Sequence, residues 1–270
     1  MAASANWWID ITNDRVEQIK SQLAMGEDPN AVSKEGQPSI MQAIQDGAWD
    51  VYDLLVRHRN INVNAVNAHD ETPLMYLAVI GQTKRAADLI KKGAEVNRLG
   101  WTPLHYAASK GHADTVKLLL ANKAIANAPS PDGTSPLMMA AYAGSEEVVR
   151  ILLNAGADVT ARNLRGEDAA DWARRKHENR LAAQLDELTQ KVLKQRAAAG
   201  GGAAASSASA SQPPGRAQPV DSGKAPLPSG GRDSGRQSGN AQAAGSAQED
   251  SGSTSRYFDL DRFERDDDRF

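Results

Sequence analysis

A short phrase of the form Thr-Pro-Leu-His recurs along the first two-thirds of the chain. Its clearest copy opens the stretch GWTPLHYAASKGHADTVKLLLANKA at residues 100–124. Weaker copies begin at Gly36, Glu71, Thr134 and Glu167, and the proline slots of successive copies lie 35, 30, 33 and 33 residues apart. Self-similarity with a period near 33 indicates a stack of small units, each of which buries its apolar face only against its neighbours.

Each copy of the phrase predicts the start of a short helix. The Thr or Ser is an N-cap whose oxygen accepts an amide, and Pro at the first helical position has no amide left unpaired. A glycine eight or nine residues after the proline slot predicts the reversal that ends this helix; these glycines are Gly47, Gly81, Gly111 and Gly144. A second helix then carries apolar residues at helical spacing, as at Val116, Leu119 and Leu120.

The phrase and its period resemble the ankyrin-repeat family over roughly residues 6–196. The resemblance implies an all-α fold, an ankyrin-repeat α-solenoid of helix-turn-helix units with hairpin-like finger loops. The segments Ala94–Asn97 and Ala157–Thr160 match the stems of such fingers. Three residues are missing between Pro73 and Pro103, which shortens one finger, and two extra residues are expected near His58.

The predicted organisation has three parts. Residues 1–5 are a flexible N-terminus, and an ankyrin-repeat domain occupies 6–196. A Gly-, Ser-, Ala- and Pro-rich linker at 197–255 has no apolar periodicity and is expected to be a disordered tail, which ends in a charged aromatic motif at 256–270. The repeat domain divides into a cap at 6–34, repeats at 35–69, 70–99, 100–131 and 132–164, and a terminal repeat at 165–196.

Catalysis finds no support in the sequence. The chain has no cysteine, and it carries no nucleophile elbow, phosphate-binding loop or zinc-protease motif. His105 falls at a family position where the resemblance implies hydrogen bonds between neighbouring turns, and His112 falls in the Gly-His turn of the family, so structural roles are expected for both. We therefore expect a non-catalytic protein with no cofactor and no bound metal.

The net charge of −3 lacks the basic excess typical of nucleic-acid binding, and no apolar run is long enough for a membrane span. The expected partner is another protein, with the chain itself a monomer. The chain as given indicates a cytoplasmic location. The segment Ala3-Ser4-Ala5 leaves open a signal peptide before Met1, which would make the protein periplasmic or exported.

The resemblance implies that binding uses a concave face lined by the first helices and the fingers. The candidate partner-binding residues are Tyr76, Val79, Ile80, Trp101, Tyr106, Lys110, Met139, Tyr142 and Trp172. For Tyr76, Tyr106, Met139 and Trp172, simple core packing stays equally open. The slots of Val79, Ile80 and Tyr142 are usually polar in the family, so apolar residues there favour an exposed interaction site. Trp101 either contacts a partner at the shortened fingertip or covers the gap.

All three phenylalanines of the protein lie in the C-terminal motif. Tyr257, Phe258, Phe263 and Phe270 form either a short docking motif, which a flexible linker could bring to the concave face, or part of a solubilising end. The start of the cap, Trp7–Asp14, resembles bacterial ankyrin proteins, some of which are exported. Two alternatives to partner binding stay open, namely chemical action on a host or neighbouring protein and self-association through the stripe Leu181, Leu185, Leu188 and Val192.

Overall fold

A computed structural model describes residues 4–199, which form an all-α stack. Within this range β pairing is limited to one isolated antiparallel bridge between Val32 and Pro38. The helices are α1 Ala5–Thr12, α2 Val16–Ala24, α3 Ser39–Gln45, α4 Trp49–Arg57, α5 Pro73–Val79, α6 Thr83–Lys91, α7 Pro103–Ser109, α8 Ala113–Ala121, α9 Pro136–Tyr142, α10 Glu146–Asn154, α11 Ala169–Arg175 and α12 Asn179–Ala199. The odd-numbered helices are the first helices of their repeats, and the even-numbered ones are the second helices.

The repeats keep one internal register. From α3 to α11 each first helix has seven residues, and the second helix begins ten positions after the first. All variation in repeat length therefore lies in the loops that follow the second helices. The loop at 92–102 has 11 residues where the loops at 122–135 and 155–168 have 14, which confirms the shortened finger.

The predicted position of Pro38 is wrong by one residue. Pro38 is the N-cap of α3, with φ −65° and ψ 146°, and Ser39 takes the first helical position. Pro38 stays outside the helix because the turn before it closes with the Ser33 amide donating to the Gln37 carbonyl at 2.9 Å. The first interval is consequently 34 residues, so the loop at 58–72 has one extra residue and not two.

The turn between the two helices of a repeat depends on glycine. Gly81 has φ +70°, and a Cβ there would lie 2.7 Å from Nδ1 of His112 in the next repeat. His112 in turn places Nε2 at 2.8 Å from the Val79 carbonyl oxygen. A side chain at Gly81 would therefore push away the residue that covers the end of α5.

Helices α1 and α12 cover the two ends of the stack in different ways. At the N-terminus, α1 begins after Ser4 and buries Trp7, whose indole nitrogen donates to Ser39 at 2.9 Å. At the C-terminus, α12 has 21 residues and continues to Ala199, past the predicted boundary at 196. Of the predicted apolar stripe on this helix, Leu181 and Leu185 are buried, whereas Leu188 and Val192 are half-exposed.

The linker from residue 200 onward and the C-terminal motif, with Tyr257, Phe258, Phe263 and Phe270, lie outside the described residues. None of the helices in the described part of the chain is long and apolar enough to cross a membrane.

An asparagine ladder joins the loops that follow the second helices. The Asn64 side chain donates to the Gly93 carbonyl at 3.0 Å and accepts from the Glu95 amide at 2.9 Å. The same pair of bonds to the next loop is made by each other member of the ladder, Asn30, Asn97 and Asn127. The next rung is Thr160, whose hydroxyl accepts from Arg196 of α12 at 2.7 Å, so α12 closes the ladder.

We expect Asn64→Ala to lower the free energy of unfolding by about 1–3 kcal/mol, because two hydrogen bonds between repeats are lost. The control is Asn122→Ala, since Asn122 is exposed and donates within its own helix to the Leu118 carbonyl at 2.8 Å. Its expected loss is about 0.5 kcal/mol or less. Urea unfolding measures both, and equal losses would contradict a special role for the ladder.

Candidate functional site

The first helices pack side by side through the stack, with α3 on α5, α5 on α7, α7 on α9 and α9 on α11. Because these helices share one length and register, the last helical residue and the C-cap after it fall at equivalent places in each repeat. We call these residues the helix-end row. Its members are Gln45 and Asp46, Val79 and Ile80, Ser109 and Lys110, Tyr142 and Ala143, and Arg175 and Lys176.

The chemistry of the helix-end row changes along the stack. Asp46 accepts hydrogen bonds from Thr12 at 2.9 Å and Gln42 at 2.7 Å, so its carboxylate is already occupied. Ile80 places a half-exposed aliphatic side chain in the middle of the row. Lys110 is half-exposed and Lys176 is exposed, and neither forms an ion pair with any residue between 4 and 199. The row thus runs from an acidic residue through an apolar one to a basic end.

Tyr142 lies at the basic end of the row and is half-exposed. Its ring meets the ring of Trp172 edge to face, with centroids 5.7 Å apart. The Lys176 ammonium lies 4.8 Å from the centroid of Tyr142, and the Arg175 guanidinium lies 5.4 Å from that of Trp172 while pairing with Glu167. These contacts give the two rings a defined orientation.

Of the residues predicted to bind a partner, five belong to the core. Their exposed fractions are at most 7 %, and they are Tyr76, Val79, Tyr106, Met139 and Trp172. For Val79 this corrects the prediction of an exposed apolar residue. Val79 is the last residue of α5 and is 2 % exposed, and Nε2 of His112 in the next repeat lies 2.8 Å from its carbonyl oxygen. Ile80, one residue later, is half-exposed.

Tyr76 and Tyr106 belong to a buried polar network that sequence reasoning missed. The Tyr106 hydroxyl donates to the Glu71 carboxylate at 2.9 Å, and the Asn67 amide donates to Glu71 at 2.8 Å and to the Tyr76 hydroxyl at 3.1 Å. Burial, together with the negative charge of Glu71, raises the pKa of Tyr106 well above its usual value. A sequence signal was available, because the Asn-x-x-x-Glu spacing of Asn67 and Glu71 recurs at residues 163 and 167.

Trp101 is half-exposed beside the shortened finger, where its ring packs edge to face on His105 with centroids 5.2 Å apart. The exposed large hydrophobic residue at this finger is Leu99, which is 96 % exposed and which sequence reasoning missed. Arg98 holds the same finger by pairing with Asp70 at 2.6 Å. At this fingertip, Leu99 is therefore a more exposed apolar residue than Trp101.

His105 has the structural role expected from its position. Its Nδ1 lies 2.9 Å from the Thr102 hydroxyl and accepts from the Thr102 amide, so the neutral ring carries its proton on Nε2, which donates to the Thr134 carbonyl at 3.1 Å. Full burial lowers the pKa of His105 to about 4. Among the described residues, His, Asp and Glu side chains form no group of three or more that could hold a metal ion.

Comparison with known protein families matches residues 8–99 and 81–163 to the family model for ankyrin repeats (3 copies). Rabankyrin-5 from Homo sapiens is 31 % identical over 162 residues, which is 58 % of this chain and 13 % of that protein. The Ankyrin repeat and SAM domain-containing protein 6 from Rattus norvegicus is 32 % identical over 143 residues, which is 53 % of this chain and 13 % of the relative.

Neurogenic locus notch homolog protein 1 from Xenopus tropicalis is 34 % identical over 114 residues, covering 41 % of this chain and 4 % of that protein. The chain thus spans only about an eighth of the length of these relatives, or less.

We expect Val79→Asp and Ile80→Asp to differ sharply although the positions are adjacent. The first places an unpaired carboxylate in the core and should lower the free energy of unfolding by about 3 kcal/mol or more. The second puts the carboxylate at a half-exposed position and should cost about 1 kcal/mol or less. Denaturant unfolding of the two variants measures this, and similar losses would contradict the assignment of Val79 to the core.

His105 makes stability depend on pH. Because its folded pKa of about 4 lies below the unfolded value of 6.5, the unfolded chain takes up the proton first as the pH falls. Stability from the neutral ring is complete above about pH 6.5 and is lost progressively down to about pH 4. Between about pH 7.5 and pH 4.5 the wild type should lose about 2.5 kcal/mol more than His105→Gln. Equal losses in the wild type and His105→Gln would contradict a buried neutral ring at this position.

Proposed function

The chain belongs to the ankyrin-repeat family, and we propose that it is a non-catalytic module that binds another protein through the helix-end row, on the face predicted to be concave. Ankyrin repeats are protein-interaction modules and generally lack catalytic activity, so the family supports the protein-binding role. The use of this particular face to bind a partner is our proposal.

The observation that carries this proposal is the half-exposure of Ile80 and Tyr142 within the row. Of the eight other residues of the row, Val79 and Ala143 are apolar, and the remaining six are polar, namely Gln45, Asp46, Ser109, Lys110, Arg175 and Lys176. A polar side chain would satisfy the same backbone geometry and keep the surface hydrated. Large aliphatic and aromatic side chains that stay partly in water on a mostly polar row are typical of protein-binding surfaces.

Two finer statements stay predictions. A bacterial or exported origin depends on the resemblance at Trp7–Asp14, whereas the relatives named above are vertebrate proteins. Monomeric behaviour also stays a prediction. Its alternative, self-association through α12, would use the half-exposed Leu188 and Val192.

Affinity capture with the full chain tests the proposal. The tagged wild type and an Ile80→Asp/Tyr142→Ala variant are used on an extract of the native cells, and circular dichroism verifies that each is folded. We expect a partner that the wild type retains and the variant loses, because both exposed apolar contacts of the row are removed.

The matched control is Ile90→Asp/Leu153→Ala. Ile90 and Leu153 are half-exposed on the second helices α6 and α10 of the same two repeats. The control should retain the partner as well as the wild type does. Retention by the row variant, or loss by the control alone, would place binding on another surface.

A further inference from the structure

A groove lies between α10 and α12, on the side of the stack that the second helices form. Helix α10 packs directly on α8, whereas α12 packs on α11 and leaves a space of about 1060 Å³ beside α10. No residue of the helix-end row lines this space. The groove is therefore a separate surface from the row of the proposed function.

The floor of the groove is apolar. Its residues are Val149 and Leu153 of α10 and the stripe Leu181, Leu185, Leu188 and Val192 of α12. Three of them, Leu153, Leu188 and Val192, are half-exposed, so water reaches the floor. A concave apolar surface that stays in contact with water is typical of a binding site. We call this floor and its walls the second-helix groove.

Ion pairs bridge the second-helix groove at both ends. Arg180 pairs with Glu146 of α10 at 2.8 Å, and Arg196 pairs with Asp158 in the loop after α10 at 3.2 Å. At 1.5 Å per residue, the two arginines lie about 24 Å apart along α12. The floor between them therefore has the length of about four turns of helix.

One charged group of the second-helix groove has no counter-ion among residues 4–199. Arg150 of α10 lines the groove and is exposed, and no carboxylate of that range pairs with it. The acids that line the groove are Glu146, Glu147 and Asp158, and each of them is paired with another cation. The groove thus presents an unpaired guanidinium beside its apolar floor.

The preceding repeat shows what pairs with a cation at this position. Lys117 is the equivalent of Arg150, since each is the fifth residue of its helix. Lys117 pairs with Glu147, the second residue of α10, at 3.0 Å. The second residue of α12 is Arg180, so the next helix supplies a cation where an acid is needed. The acid that Arg150 would pair with is therefore missing from the described part of the chain.

We propose that the second-helix groove binds an amphipathic helix of another protein, about four turns long. Its apolar face lies on Leu153, Leu188 and Val192, and an acidic side chain of the helix lies opposite Arg150. This acid makes the ion pair that Glu147 makes with Lys117 one repeat earlier. The groove is a second binding surface, which goes beyond the function proposed for the row.

The walls of the second-helix groove favour a helix over an extended peptide. Both long walls are helices, whose backbone groups bond within the helix and offer no strand edge to a peptide. An extended segment would place its own amides and carbonyls over an apolar floor without partners. A helix satisfies these groups internally, and its side-chain ridges pack against residues spaced four apart, as Leu188 and Val192 are.

Selection of helical peptides tests the charge that the groove prefers. A phage-displayed library of amphipathic helices of about four turns, with leucines fixed along one face and the other positions random, is selected on the full chain. The same selection is made on Arg150→Glu and on Lys84→Glu, a control with a similar charge change at an exposed lysine of α6. We expect the wild type and the control to enrich Asp or Glu at one position. Arg150→Glu should prefer Lys or Arg there, and an unchanged acidic preference would overturn the proposal.

The affinity of an enriched peptide tests the apolar floor. Leu188→Asp/Val192→Asp should weaken binding about tenfold or more, because two apolar contacts at the centre of the interface are lost. The control Gln190→Asp/Leu193→Asp adds the same charge at exposed positions of α12 outside the groove lining, and it should bind as the wild type does. Arg150→Glu should also weaken binding about tenfold, since an attractive charge pair becomes a repulsive one.

Circular dichroism verifies that each variant is folded. Because Arg150 is exposed, its variant keeps the test decisive even where the floor variant does not fold. NMR chemical shifts of a ¹³C-labelled peptide in the complex then report its conformation. We expect a helix of about four turns, and a peptide that is extended when bound would overturn the proposal.

The outcomes are independent of the row. The Ile80→Asp/Tyr142→Ala variant should bind the enriched helices as the wild type does. If it loses them while Leu188→Asp/Val192→Asp keeps them, the helices bind the row, so the groove proposal fails and the proposed function stands. If no helical peptide is enriched, the groove proposal also fails. A dimer in analytical ultracentrifugation that Leu188→Asp/Val192→Asp dissociates would then identify a second copy of the chain as the occupant.

Discussion

The asparagine ladder is the interaction on which the rest of the stack depends. Each ladder side chain pairs with one amide and one carbonyl of the next loop, which fixes both the spacing and the register of neighbouring repeats. The short finger shows this most clearly. Asn97 lies in the 11-residue loop at 92–102 and still bonds to the carbonyl of Lys123 and the amide of Ile125. The three missing residues are therefore lost from the part of the loop that follows Asn97, and α7 still packs on α5.

In this fixed register, the buried polar groups of the stack differ in whether they have hydrogen-bond partners. In the middle repeats, Glu71 and Asn67 lie within reach of the hydroxyls of Tyr76 and Tyr106, so a carboxylate can be buried among donors. In the terminal repeat the corresponding acid, Glu167, pairs with Arg175 and not with the ring at the fourth helical position. For that reason the indole N–H of Trp172 has no acceptor among the described residues. Equivalent packing of the first helices thus gives a hydrogen-bonded network around Glu71 in the middle repeats, whereas in the terminal repeat it leaves a buried indole N–H without an acceptor among the described residues.

Features decided within one repeat could be predicted from the sequence. The family, the caps at Thr72 and Ser135 and the shortened finger all depend on neighbours in the chain or on the repeat length. The bond of His105 to Thr134 in the next repeat was predicted only through the family resemblance. Other features decided between repeats were missed. The carbonyl of the buried Val79 is bonded by His112 of the next repeat, and the network around Glu71 joins three repeats. Helix α1 was missed because Ser4 caps it without the Thr-Pro opening that marks its counterparts.

The C-cap of each first helix explains how one scaffold can carry varied recognition chemistry. The C-caps Asp46, Ile80, Lys110, Ala143 and Lys176 have φ between −108° and −69°, which suits any L residue. The demanding conformation is adopted by the next residue, which is a glycine in the internal repeats and His177, with φ +62°, in the terminal one. The turn therefore places no restriction on the C-cap side chain. An acid, an aliphatic residue and two lysines can replace one another along the row without any change in the register that presents them.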